Sequence, residues 1–214
     1  MKAKAFILLC VGTFLFTLVS CEKEDNGQTQ QQPLVCTHPV FTTSAILTDS
    51  IQLAIEDITY TRATYGNGMF ATHTDTTYSM ALACSWQVTS TSKLRLGQFW
   101  FKKMFNVPEI NTADRYQMLL PGNGYIYAPN SGYGGIAMRM QYNKTGVADD
   151  EWRTDDGDNT GNVFTIEERS PIFVVGIDSF CRVSGRFCCR FYNADNSFLP
   201  VSGNYSTPVK LTYH

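Results

Sequence analysis

From about residue 50 to the C terminus, apolar and polar side chains alternate with a period of two, and almost nothing repeats with the period of a helix. Thr, Tyr, Phe and Val, which suit a pleated half-buried surface, are punctuated by Gly, Asn, Asp and Pro, which suit turns. The pattern predicts strands over 50–60, 77–88, 93–104, 135–142, 162–168, 172–177, 181–192, 198–205 and 209–213. Turns are expected at Gly66-Asn67-Gly68, Pro121-Gly122-Asn123-Gly124, Asn130-Ser131-Gly132 and Asp155-Asp156-Gly157-Asp158-Asn159. Many short strands at this spacing imply an all-β fold, an antiparallel β-sandwich or a partly open barrel. The clearest strand is 181–192. Cys181, Val183, Gly185, Phe187, Cys189 and Phe191 share one face, while Arg182, Ser184, Arg186, Cys188, Arg190 and Tyr192 share the other. Three arginines make the second face solvent-facing, so the first set is expected in the core. One short helix is expected over 112–119, with Thr112 as N-cap and Asp114 in the first turn.

The front of the chain breaks this pattern. Lys2 and Lys4 precede an uncharged apolar run over 5–19. That arrangement reads as a secretory signal, and the run is short of the roughly 20 residues of a comfortable membrane span. Leu18-Val19-Ser20-Cys21 resembles the lipobox of bacterial lipoproteins, with Leu at −3, a small residue at −1 and Cys at +1. The resemblance implies cleavage before Cys21, a diacylglycerol on its thiol and an outer-membrane address. Several acyl chains anchor firmly, because each buried methylene contributes roughly 0.8 kcal/mol. Glu22-Lys23-Glu24-Asp25-Asn26 resembles the charged tag that follows the lipid Cys in surface-exposed lipoproteins of Bacteroidetes-type bacteria. Residues 27–33 (GQTQQQP) are polar and low in complexity and read as a flexible tether. The expected organisation is a cleaved signal peptide over 1–20, a lipidated Cys and tether over 21–33, and one β-sandwich domain over 34–214.

Loss of residues 1–20 would leave 15 basic against 19 acidic residues, a net charge of −4, with no basic block. Nucleic-acid binding, which rests on neutralising phosphates, is not expected. The domain is long enough to bury a core without disulfides. Of the seven cysteines, Cys36, Cys84, Cys181, Cys188 and Cys189 belong to the β domain. Five is odd, so at least one thiol stays free or pairs between chains. A Cys36–Cys84 bridge is open from spacing, and Cys188 and Cys189 read as buried thiols serving as small apolar residues. Three histidines at 38, 73 and 214 make zinc improbable.

Asp150-Glu151-Trp152-Arg153-Thr154-Asp155 and Gly161-Asn162-Val163-Phe164-Thr165-Ile166 resemble a recurring pattern in small lipoproteins of Bacteroides-type bacteria. Ser184-Gly185-Arg186-Phe187, Asn193 and Val201-Ser202-Gly203-Asn204-Tyr205 resemble their C-terminal hairpin. The resemblance spans roughly 115–214. It implies an all-β sandwich-like domain in the envelope and transfers no catalytic residue.

Two stretches carry candidate chemistry. In 97–102, Phe99 and Phe101 alternate against Gln98, Trp100 and Lys102. A Trp among polar neighbours can stack a sugar ring while Gln and Lys reach its hydroxyls, and the loop 121–135 offers Tyr125, Tyr127 and Tyr133 as rigid aromatic anchors. The second stretch runs from Asp156 to Glu167. Asp156, Asp158, Gly161 and Glu167 match the spacing of a calcium-binding EF-hand loop, with Thr160 at the fifth position. Neither flank reads as a helix, so an acidic turn between strands is the competing account. No cofactor other than calcium is implied. There is no GxSxG, no HExxH and no histidine beside a nucleophile, and the carboxylates Glu56, Asp57, Glu109 and Asp114 show no spacing that brings them together. Asp49-Ser50-Ile51 and Asp75-Thr76-Thr77 resemble an O-glycosylation pattern of exported proteins, which implies exposure if used. The expected function is a non-catalytic, surface-exposed envelope lipoprotein that binds glycan or another extracellular ligand. The alternative is a structural, adhesion or complex-subunit lipoprotein that meets another envelope protein through the arginine face. A hydrolase ranks behind both.

Overall fold

The architecture is that of a computed structural model, which describes residues 34, 49–76, 78–86, 92–107, 109–123, 125, 127, 135–144, 150–155 and 157–212. The signal, Cys21, the tether, Cys36, Tyr133 and Asp156 lie outside the described residues. Leu34–His214 forms one compact unit.

The chain is all-β, and its named strands pair antiparallel. β1 (Ser50–Ile55) and β2 (Ile58–His73) form a hairpin, followed by β3 (Tyr78–Trp86) and β4 (Leu94–Phe105). A short helix α1 (Thr112–Gln117) and β5 (Gly122–Asn123) precede β6 (Gly135–Tyr142) and β7 (Glu151–Arg153). β8 (Val163–Arg169), β9 (Phe173–Val175), β10 (Asp178–Tyr192) and β11 (Phe198–Lys210) complete the sheet. Hydrogen-bonded neighbours run β11-β1-β2-β3-β4-β6-β7-β10, and β10 pairs with β11 again. The sheet therefore curls back on itself as a partly open barrel. Its weak seam is β7 to β10, held by the single pair Tyr192↔Arg153, because β8 and β9 occupy the same edge of β10 further along.

The predicted core face of β10 is buried at all six positions, with Cys181, Phe187, Cys189 and Phe191 fully enclosed. Phe164, Phe99, Phe101, Phe187 and Tyr205 meet inside the barrel, with Phe164 stacked on Tyr205 at 5.0 Å. Gly185 belongs there because a Cβ would stand 1.9 Å from Thr165 O on β8. The opposite face of β10 is only partly solvent-facing. Arg182 and Arg186 are exposed, but Cys188, Arg190 and Tyr192 are buried. The loop at 157–162 covers that end: Arg190 Nη1 donates to Thr160 O at 2.8 Å, and Tyr192 Oη donates to Asp158 O at 2.7 Å.

Several local expectations need correction. The predicted strand 50–60 is two strands, with a turn at Glu56-Asp57 in which Glu56 adopts φ 54°. Gly66-Asn67-Gly68 is no turn but a β-bulge inside the 16-residue β2, with Gly68 at φ 109°. The bulge bends a strand too long to stay straight in a curled sheet. The two predicted strands at the C terminus are one. Pro208 is tolerated because it lies beyond Ser206, the last residue of β11 paired to β1, so no ladder bond to β1 is lost there. The helix starts one residue earlier than expected. Asn111, not Thr112, is the N-cap, in a reciprocal box with Asp114 at 3.0 and 2.9 Å. The Cys36–Cys84 bridge is not made: Cys84 is a free buried thiol, as are Cys181 and Cys189. Cys188 is not a thiol either, since it is disulfide-bonded. Ser50, the acceptor of the first O-glycosylation pattern, is only 5% exposed between β2 and β11, whereas Thr76 is exposed.

Candidate ligand-binding face

β4 divides the sequence-predicted residues between two faces. Phe99 and Phe101 point into the barrel, and Gln98, Trp100 and Lys102 lie half-buried on the outside. Gln98 is held by Ser85 on β3, its Nε2 donating to Oγ at 3.1 Å. Trp100 is flanked by Arg139 of β6, whose guanidinium carbon lies 5.2 Å from the ring centroid. Arg139 in turn donates to Asp155 Oδ2 at 3.3 Å and lies 4.0 Å from Glu151. The Asp155 side chain is 1% exposed, and its Oδ1 has no hydrogen-bond partner. Burial lowers the Lys102 amine below the usual lysine value, opposed by the charge of Asp155 and reinforced by that of Arg139. The outer face thus offers an aromatic plane edged by two cations, an amide and the Glu151 carboxylate, with Asp155 enclosed as the partner of Arg139. Arg139 and Asp155 were not anticipated. Arg139 sits on the polar phase of β6, but nothing local marks Asp155.

Lys102 also lines a cavity of about 380 Å³ with Phe101, Lys103, Met104, Met118 and Tyr125. Its volume lies at the small end of the ligand-pocket range. Phe101, Met104 and Met118 give it an apolar part, and Lys102, Lys103 and the Tyr125 phenol make the rest polar. Lys102 and Tyr125 are the predicted residues that the cavity brings together.

Tyr125 and Tyr127 do not join Trp100. Tyr125 Oη donates to Met118 O at 2.6 Å, its ring meets Phe101 and Phe164 edge-on, and burial pushes its phenol up to about 12. Tyr127 is 4% exposed and packs against Phe164, with its hydroxyl 3.3 Å from Val163 O. Burial raises that phenol well above its ordinary value. Tyr127 is part of the core, and Tyr125 is a wall of the cavity.

The candidate calcium loop is organised by its own chain. Asp158 Oδ1 accepts from the Thr160 amide at 2.8 Å, and bonding to Thr160 holds the carboxyl below its usual range. Arg190 occupies Thr160 O, and Arg186 Nε meets Glu167 Oε1 at 2.5 Å. Asp158 and Thr160 are therefore together, while Glu167 is turned onto the β8–β10 face. Among the described residues no three His, Cys, Asp or Glu side chains are grouped to hold a metal ion. Two of the carboxylates weighed for hydrolysis have local tasks: Glu56 accepts from Tyr142 Oη at 3.1 Å, and Asp114 caps α1.

No protein-family model, curated protein or solved structure matches the chain.

Proposed function

We propose that the protein is a non-catalytic binding module of the bacterial cell envelope, anchored through lipid on Cys21 and displayed at the surface. Its ligand, a glycan or another extracellular molecule of similar polarity, is taken on the outer face of β4 and β6. The observation that carries this reading is Trp100. A large aromatic lies half-exposed among Gln98, Lys102 and Arg139, on a strand whose other face already supplies the core. Stacking on such a ring with polar groups around it is how sheet surfaces hold sugars. The adjoining cavity at Lys102 and Tyr125 extends the same surface. The rival reading, docking of an envelope protein on an arginine face, has less support. Arg182 pairs with Asp49, Arg186 pairs with Glu167, and Arg190 is buried.

The test is a glycan-array screen of residues 34–214, run in calcium and in EDTA, with Trp100→Ala in parallel. A specific hit that falls at least tenfold in the variant supports the reading. A blank array together with co-purification of a second envelope protein overturns it.

A further inference from the structure

The three most exposed large apolar side chains of the described residues, Ile177, Val174 and Val175, gather on one ribbon. Pro171-Ile172-Phe173-Val174-Val175-Gly176-Ile177 carries no charge. Ile172 is 42%, Val174 66%, Val175 61% and Ile177 78% exposed. β9 and the start of β10 form this hairpin, closed at Val175↔Asp178 around Gly176, which adopts φ 64°. Val174 and Val175 are successive strand residues, so their side chains leave opposite faces. Both are in solvent, so the ribbon projects beyond the barrel. Only its root is packed, where Phe173 stacks on Phe180 at 5.9 Å and Arg182 lies over Phe173.

From this geometry we infer that the β9–β10 hairpin is a membrane-contact element whose tip enters the apolar boundary of a lipid bilayer. The inference rests on the envelope-anchored reading above. A protein groove covers one face of a ribbon, whereas a bilayer accepts apolar side chains on both faces and at the turn. A second copy paired on the free edge of β9 would use a three-residue strand, far short of the roughly 1,200 Å² a stable interface buries. The position of the chain ends agrees. Asp49, where the chain enters β1, bonds to Arg182 at the hairpin root. At the other end of the chain, Leu211 N donates to Ser179 O and Thr212 Oγ1 lies 3.0 Å from Asp178 Oδ1. Ahead of the compact unit at Leu34, the 13 residues from Cys21 to Pro33 can extend to about 43 Å, enough slack for an anchored domain to turn its tip to the bilayer.

The test places an environment-sensitive nitrobenzoxadiazole label on Ile177→Cys in the full chain, with Ala194→Cys in the β10–β11 turn as control. Vesicles of phosphatidylethanolamine and phosphatidylglycerol are the probe. The expected result is a blue shift at position 177, quenched by nitroxide-bearing lipids, and no change at 194. An unshifted 177 label on a chain that floats with the vesicles overturns the inference. So does a shift that appears without vesicles and grows with protein concentration, which would assign the tip to a second copy. A clickable fatty acid fed to the cells separates the two readings. A chain without the fatty acid whose 177 label still shifts loses the Cys21 anchor and keeps the hairpin. An acylated chain with an unshifted label keeps the anchor and loses the hairpin.

Discussion

Trp86 on β3 lies across Gly97, its partner on β4, so closely that a Cβ at position 97 would stand 1.4 Å from Trp86 Cζ2. The indole is fully buried, and its N–H has no hydrogen-bond partner, so packing is its contribution. Gly97→Ala must displace the ring from an enclosed site. Overpacking of this kind costs about 2–3 kcal/mol. Urea unfolding is expected to show a lower midpoint with an unchanged slope.

Cys188 and Cys189 are neighbours with opposite chemistry. Burial pushes the Cys181 and Cys189 thiols up to about 12 and the Cys84 thiol further still. All three are buried and held in the thiol form, so native alkylation at pH 8 is expected to leave them unmodified. Cys188, by contrast, is disulfide-bonded. Peptide mapping without reductant is expected to recover that link, and reduction is expected to cost about 2–4 kcal/mol of stability.

The contrast between these cysteines marks where sequence reading stops. Alternation along 181–192 correctly placed Cys189 inside, because a period of two follows from the backbone alone. It could not anticipate the burial of Arg190 and Tyr192, which depends on a loop some thirty residues away bonding back through Thr160 and Asp158. Gly66 and Gly68 carry the composition of a turn, yet a bulge asks of Gly68 the same positive φ, and Gly66 is set by the close approach of Pro208 O. On β4, the period of two correctly separated Trp100 from Phe101. The tyrosines of the 121–135 loop had no periodicity to separate a wall from a core residue.

Tyr127 and Trp100 should respond oppositely to substitution. Tyr127→Phe leaves Val163 O without that donor, which costs roughly 1 kcal/mol in stability and leaves ligand binding unchanged. Trp100→Ala removes a half-exposed ring and its contact with Arg139, worth about 0.5–1 kcal/mol. Its stability loss is expected to be small and its binding loss large. Thermal melts of both variants beside ligand titrations check the pair.

Two carboxylates test the acidic loop without mutation. Asp158 accepts from the Thr160 amide at 2.8 Å, and Asp195 accepts from the Ser197 amide at 2.7 Å. Both turns are exposed, and both carboxyls titrate below the ordinary 3.8, each because its turn bonds favour the charged form. A depressed pKa means the bonds are intact above 3.8 and are lost as the pH falls through the lower folded value. Carboxyl-carbon NMR in EDTA is therefore expected to give midpoints below 3.8 for both residues. Calcium supplies the discrimination. A cation held at Asp158 would compete with its proton and lower that midpoint again, while Asp195, outside the loop, would stay in place. With Arg190 on Thr160 O and Arg186 on Glu167, the loop's oxygens already face fixed positive charge, which disfavours a divalent ion. The expected outcome is two midpoints that do not move between EDTA and calcium. A calcium-dependent fall at Asp158 alone would make the loop a metal site.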